Sequence, residues 1–171
     1  MSNYSNPGED SAQSPEAQPS RPEGDLHLRF YLSSGEELAL PATGIREVLS
    51  PAPERITPMP NVSPRLLGVL NLRGQAIWVA DAGQLLGNLT PLNTDRTEIS
   101  VIAIEDHDVV VGLAVEQIVG MDWLNLDQIH PCTAAPIAMS AFVKGEWPQD
   151  PQPPLRLLNP TVMIRLGRWA A

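Results

Sequence analysis

Two short apolar runs joined by a glycine-containing link constrain the fold of this chain more than any other feature. The runs are LLGVLNL (66–72) and AIWVA (76–80), and Arg73-Gly74-Gln75 connects them. Both runs have the length of a β-strand, and the link places Gly74 where a tight turn needs a positive φ. The sequence therefore predicts a β-hairpin, with the charged Arg73 at the end of a strand beside the turn.

Short apolar segments separated by turn residues recur along the rest of the chain. The further strands that this pattern predicts cover residues 26–32, 37–41, 45–49, 99–104, 109–115 and 155–158. In the first of them, alternation places Leu28 and Phe30 on a buried face, and His27, Arg29 and Tyr31 on the opposite face. Many short strands of this kind predict an all-β fold, as barrels or as a sandwich.

The C-terminal third contains the less regular segments. Residues 146–154 are acidic and rich in proline, and they are expected to form a hairpin loop. Residues 159–168 predict a short helix with Pro160 in its first turn, a position that proline tolerates because its missing donor is not needed there.

Length, charge and cysteine content limit the classes of function. The 171 residues allow one ordinary domain or two very small ones. A net charge of −9 argues against nucleic acids and anionic membranes as main partners, because an acidic surface repels phosphate. The single cysteine, Cys132, excludes an internal disulfide and fits a reducing cytoplasm. No apolar run reaches the roughly 20 residues of a membrane span, and the first residues have no secretory-signal pattern.

The N-terminal 25 residues differ in composition from the remainder. They consist mainly of Ser, Pro, Glu, Gln and Gly and have almost no apolar side chains to bury. Such a segment cannot offset its own ordering entropy, so residues 1–25 are expected to form a disordered acidic tail. The folded part is then expected to cover residues 26–168.

An ordered set of residues around the predicted hairpin resembles the central motif of the CheW-like coupling proteins of bacterial chemosensory systems. The matching positions are Pro60, Asn61, Val62, Gly68, Asn71, Leu72, Arg73, Gly74 and Asp81. Ile45, Glu47 and Val48 resemble an earlier "V-x-E-V" element of that family. Residues 136–145 resemble a late strand of the family, with residues 142–145 as its core. The chain departs from the pattern at Trp78, Ala82 and Glu116, where the family usually has Pro, Leu and Asp.

The resemblance implies a fold, a function and a set of partners. The fold is two small SH3-like β-barrels packed side by side, with short helical segments. The function is that of a cytoplasmic, non-catalytic adaptor in chemotaxis and motility, linking the cytoplasmic tips of membrane chemoreceptors to a CheA-type histidine kinase. The partner-binding residues that it implies are Glu47, Val48, Gly68, Asn71, Arg73 and Gly74. Glu47 and Arg73 carry opposite charges, and we predict that they form a surface pair beside Val48.

The residues themselves indicate no catalytic or metal centre. His27, His107 and His130 are far apart in the sequence and none belongs to a ligand-spaced pair. Residues 105–108 carry ligand-type side chains, but consecutive residues at a hairpin tip splay outward, so a solvated turn is expected. Asp81 is expected to cap the helix that follows it. No cofactor is expected. The alternative function is a small-barrel module that binds a ligand or nucleic acid. A hydrolase is a third possibility, but the sequence has no nucleophile–base pair to support it.

Overall fold

The structure of the protein, a computed structural model, describes residues 23–167, and within them it contains ten β-strands, three short α-helices and three 3-10 turns. The strands are Asp25–Tyr31 (β1), Glu37–Pro41 (β2), Ile45–Leu49 (β3), Leu66–Leu72 (β4), Gln75–Asp81 (β5), Ser100–Asp106 (β6), Val109–Val115 (β7), Gln117–Leu124 (β8), Val143–Gln149 (β9) and Gln152–Leu158 (β10). The helices are Ala82–Leu85 (α1), Ile137–Ser140 (α2) and Pro160–Leu166 (α3). Residues 1–22 of the predicted tail lie outside the described residues, and β1 begins one residue before the predicted start.

The ten strands form two five-stranded sheets, which make two SH3-like β-barrels. The strand order is β8-β1-β2-β10-β9 in the first barrel and β3-β6-β7-β5-β4 in the second. The second barrel therefore uses five consecutive strands and is inserted between β2 and β8 of the first. This confirms the predicted all-β fold with two small barrels and short helical segments.

The largest group of buried apolar side chains belongs to both barrels. Phe30 and Leu38 of the first barrel pack in one cluster with Ile102 and Leu113 of the second. A second cluster, which includes Leu70 and lies within the inserted barrel, has no member from the first barrel's strands. The two barrels are thus joined by a shared core and are not connected only through the chain.

The C-terminal helix α3 crosses from the first barrel to the second. Asn159 caps it by accepting a hydrogen bond from the backbone of Val162, and Pro160 occupies its first turn as predicted. The helix packs against β6, and Nε of Arg165 lies 3.5 Å from Oδ2 of Asp106. The helix therefore reinforces the contact between the barrels.

His27 is buried, so its predicted position on a solvent-facing side of β1 is wrong. Its side chain is 1% exposed and its ring meets that of Trp147 edge-on, with centroids 5.5 Å apart. Trp147 lies on β9, which is far from β1 in the sequence, and it covers the second face of the first sheet at this point. The alternation in β1 is real, but both faces are covered here.

The predicted hairpin loop over residues 146–154 is also wrong, because most of it is strand. The paired strands β9 and β10 leave only Asp150-Pro151 as the turn. Proline fits these strands because β9 is an edge strand and the register of β10 shifts between Gln152 and Leu155. The predicted strand over residues 142–145 begins at Val143 and continues through this segment.

Candidate protein-binding site

The turn between β4 and β5 is built by the residues of the sequence motif. Arg73 and Gly74 both have positive φ, of 50° and 85°, which is the backbone of a two-residue type I′ hairpin turn. Asn71 braces the turn, because its Oδ1 accepts a hydrogen bond of 2.9 Å from the backbone of Gly74. A positive φ is unfavourable for a residue with a Cβ, so Arg73 occupies this position at a conformational cost.

Arg73 and Glu47 form the predicted ion pair through two hydrogen bonds. Nε of Arg73 donates to Oε1 of Glu47 at 3.0 Å, and Nη2 donates to Oε2 at 3.4 Å. The side chain of Arg73 is 75% exposed and that of Glu47 is 22% exposed. The hydrogen bonds and the negative charge of Glu47 raise the pKa of Arg73. The guanidinium is therefore held in one orientation at the protein surface.

The pair joins the two edges of the second sheet. Glu47 lies on β3 and Arg73 follows β4, and these strands are the two ends of the strand order. The pair therefore links opposite edges of a sheet that curls back on itself. Side-chain contacts connect these edges where the sheet has no backbone ladder between them.

Val48 is not part of the surface that the ion pair occupies, in contrast to the prediction. Neighbouring side chains on a strand point to opposite faces, and Val48 pairs across the sheet with Ile102 of the shared core. Glu47 pairs with Ala103, which packs in the core of the second barrel. Val48 is 43% exposed and lies on the side of β3 that faces the shared core.

Gly68 has a structural reason to be glycine. Its φ is +148°, and a Cβ at this position would lie 2.1 Å from the carbonyl oxygen of Thr57. Thr57 and Val69 exchange two backbone hydrogen bonds beside it, of 2.8 and 2.9 Å. Gly68 is buried, so it permits close packing of the loop before β4 and does not present a side chain to a partner.

A groove of about 320 Å³ runs between the edge strands beside the ion pair. Leu49, Leu70 and Leu72 supply its apolar part, and the last two are buried residues of β4. Glu47, Arg73 and Arg55 supply the charged groups. The groove thus combines an apolar floor with a fixed ion pair and a further arginine.

The sequence matches the family model of the CheW-like domain over residues 28–166. The chain belongs to the CheW-like family. This agrees with the family resemblance inferred from the motif. Residues Glu47 to Gly74 of the candidate site all fall within the matched range.

Two known proteins illustrate the similarity. The chain is 32% identical over 120 residues to Protein PilI of Pseudomonas aeruginosa strain PAO1, a match that covers 67% of this chain and 63% of PilI. The match thus spans less than two thirds of the length of PilI. The crystal structure of the scaffolding protein TtCheW from Thermoanaerobacter tengcongensis superposes with a TM-score of 0.67. That structure shares 23% identity and is matched over 80% of this chain and 89% of its own, and it establishes the shared fold.

The sequence alone did not indicate an apolar strip on β8 of this CheW-like protein. Val119, Met121 and Trp123 alternate along the strand and are each about half exposed. Met121 lies opposite Leu28 of the shared core, so the strip continues that core toward solvent at the edge of the first sheet. The regular spacing of three large apolar residues was the available signal, but it also fits an ordinary buried strand face.

A second exposed apolar surface lies on the outer side of β4 and β5. Met59, Val69 and Trp78 line a depression of about 500 Å³ there. Trp78 is the residue that stands where the family usually has proline, so this surface carries one of the departures of the chain from the motif.

The remaining features considered from the sequence are a helix-capping residue, a metal site and a membrane span. Asp81 caps α1 as predicted: its Oδ1 accepts from the backbone of Gln84 at 3.3 Å and its Oδ2 from that of Leu92 at 2.7 Å. Within residues 23–167, no three His, Cys, Asp or Glu side chains form a group that could hold a metal ion. In the same range, no helix is long and apolar enough to cross a membrane.

Proposed function

We propose that this protein is a cytoplasmic adaptor of a bacterial chemosensory system, which couples methyl-accepting-type receptors to a CheA-type histidine kinase. The single observation that carries the proposal is the Glu47–Arg73 pair beside the groove of the second barrel, in a chain of the CheW-like family. An adaptor acts by complementarity of surfaces, in which apolar anchors supply affinity and fixed charges set the register.

In this proposal, the receptor binds at the surface that extends from the shared core. The strip of Val119, Met121 and Trp123 on β8 and the exposed side of Val48 on β3 both continue that core toward solvent. An amphipathic helix presents apolar side chains along one face and needs an elongated apolar surface of this kind. The cytoplasmic tip of a chemoreceptor is the helical partner that the family suggests.

The kinase binds at the end of the second barrel, at the surface formed by Glu47, Asn71, Arg73 and Gly74. Of the other residues expected to contribute, Val48 lies on the receptor side of β3 and Gly68 is buried. The pair and the turn offer charged groups of fixed orientation, and Asn71 and Gly68 keep the backbone of β4 and its turn in place. Fixed groups lose little entropy on binding, which favours recognition of another rigid barrel. The partner is the regulatory domain of the kinase, which is itself CheW-like.

The proposal is tested by titrating the purified chain with each partner separately. The probes are a soluble helical-hairpin fragment of a receptor tip and the isolated regulatory domain of a CheA-type kinase, both from the same genome. We expect saturable binding of both and a ternary complex on gel filtration. Binding of neither probe would contradict the proposal, and a salt-sensitive shift of labelled single-stranded DNA would favour a nucleic-acid-binding module instead.

A further inference from the structure

Arg55 is the charged residue of the groove that lacks a counter-charge. It ends a short 3-10 turn, Pro53–Arg55, and its side chain is exposed. The other arginine of the groove, Arg73, is bound to Glu47 through two hydrogen bonds. Among residues 23–167, no carboxylate lies within ion-pair distance of the Arg55 guanidinium.

The size of the groove limits what it can accept. Its volume of about 320 Å³ suits one or two side chains. An α-helix with its side chains is about 10–12 Å across, so a whole helix does not enter a space of this size. The part of a partner that enters is therefore one or two side chains, with an apolar one placed over Leu49, Leu70 and Leu72.

The negative charge of the protein makes the unpaired Arg55 more important for attracting an acidic partner. The chain carries a net charge of −9, so its surface as a whole repels an acidic partner. A local unpaired guanidinium provides attraction where the mean field opposes it. Arginine also binds a carboxylate through two parallel hydrogen bonds, which fixes orientation as well as supplying affinity.

We propose that Arg55 selects the partner at this groove by pairing with a carboxylate of the kinase regulatory domain, next to an apolar side chain that enters the groove. The inference rests on the proposed function and assigns it a specificity-determining residue outside the sequence motif. The two surfaces differ in shape, and we assign a different partner to each. The small charged groove binds the kinase regulatory domain, and the elongated apolar surface binds the receptor helix.

The test compares substitutions of two exposed arginines of the second barrel. Arg55→Ala and Arg55→Glu are measured beside Arg65→Glu, since Arg65 is exposed, has no ion pair within the described residues and does not line the groove. The probes are the kinase regulatory domain and the receptor-tip fragment, each titrated at two salt concentrations. Among residues 23–167, Arg55 donates only its backbone N–H, to Ala52, so both variants should fold normally.

We expect Arg55→Ala to weaken binding of the kinase domain about two- to fivefold, the range of an exposed charge pair. Arg55→Glu should weaken it at least about tenfold, because it opposes two like charges. Arg65→Glu and all titrations with the receptor fragment should match the wild type. Affinity of the wild type for the kinase domain should also fall more steeply with salt than that of Arg55→Ala.

Two results would overturn the inference while leaving the proposed function intact. One is wild-type affinity of Arg55→Glu for the kinase domain. The other is a loss confined to the receptor fragment, which would assign the groove to the wrong partner. If the wild-type chain binds neither probe, the proposed function fails first, and the inference falls with it.

Discussion

Arg96 clamps Glu116, the single residue that separates β7 of the second barrel from β8 of the first. Nη2 of Arg96 donates to both carboxylate oxygens of Glu116 at 3.0 Å, and Nη1 donates to the backbone oxygen of the same residue at 3.2 Å. The backbone of Glu116 in turn donates to Tyr31 of β1 at 3.0 Å. The chain is therefore fixed on both sides at the point where it passes between the barrels.

We expect Arg96→Ala to lower the free energy of unfolding by about 1 kcal/mol, because the pair is partly exposed and screened. This corresponds to a fall of roughly 3 °C in melting temperature for a chain of this size. Arg46→Ala is the matched control, since Arg46 forms a more exposed pair with Glu105 at 3.3 Å within one barrel. Equal effects of the two substitutions would show that the crossing point has no special importance.

The shared core predicts that the two barrels unfold together. Leu113 packs in the cluster that joins the barrels, whereas Leu70 packs in the cluster of the second barrel alone. Leu113→Ala and Leu70→Ala should each lower the stability by about 2–5 kcal/mol. Both should shift one common transition in differential scanning calorimetry. A profile with two transitions, only one of which responds to Leu70→Ala, would show that the barrels are independent.

The sequence was informative where structure depends on neighbours along the chain. The β4–β5 hairpin was predictable because strand length, Gly74 and the following Asp81 are all local signals. The Glu47–Arg73 pair was predicted from opposite charges at two motif positions, and the structure confirms it. The prediction failed for Val48. The face of β3 to which a side chain points depends on the strand register, and that register is set by pairing with β6.

Features that depend on distant contacts could not be predicted in the same way. The burial of His27 requires Trp147, and the groove with Arg55 requires that the second sheet curl until its edges meet. The apolar strip of β8 has the pattern of a buried face, and only the sheet order shows that it lies at an edge. The prolines of residues 146–154 led to the prediction of a loop. The structure accommodates them in strands because of an edge position and a register shift, and neither of these can be read from the sequence.

Asp81 is predicted to be important for stability and not for binding. Its carboxylate is 2% exposed and satisfies two backbone donors, of Gln84 and Leu92. Asp81→Ala removes the cap of Gln84 and leaves the buried Leu92 donor without its partner, so it should cost about 2–4 kcal/mol. Thermal melting by circular dichroism measures the loss, with Asp95→Ala as a control because Asp95 is exposed in the same loop region. A melting temperature unchanged by Asp81→Ala would contradict the capping role.

Arg73 is predicted to be important for binding and not for stability. Arg73→Glu removes an exposed ion pair and places two carboxylates together, so the fold should persist with a small loss of melting temperature. Binding of the kinase regulatory domain should weaken at least about tenfold, because the charge presented to the partner is reversed. Arg73→Gly should melt within about 3 °C of the wild type, since glycine accepts the positive φ at this position, and it should also bind weakly.

A charge swap separates a partner contact from a purely internal role of the pair. The double variant Glu47→Arg, Arg73→Glu restores an ion pair between the edges of the second sheet but reverses the charges that a partner meets. If Arg73 contacts the partner, the double variant should bind as weakly as Arg73→Glu even though its melting temperature recovers. Arg46→Glu, on the same strand as Glu47, changes the net charge by as much as Arg73→Glu does and should bind normally. Recovery of binding in the double variant would make the pair a structural feature of the barrel and remove Arg73 from the interface.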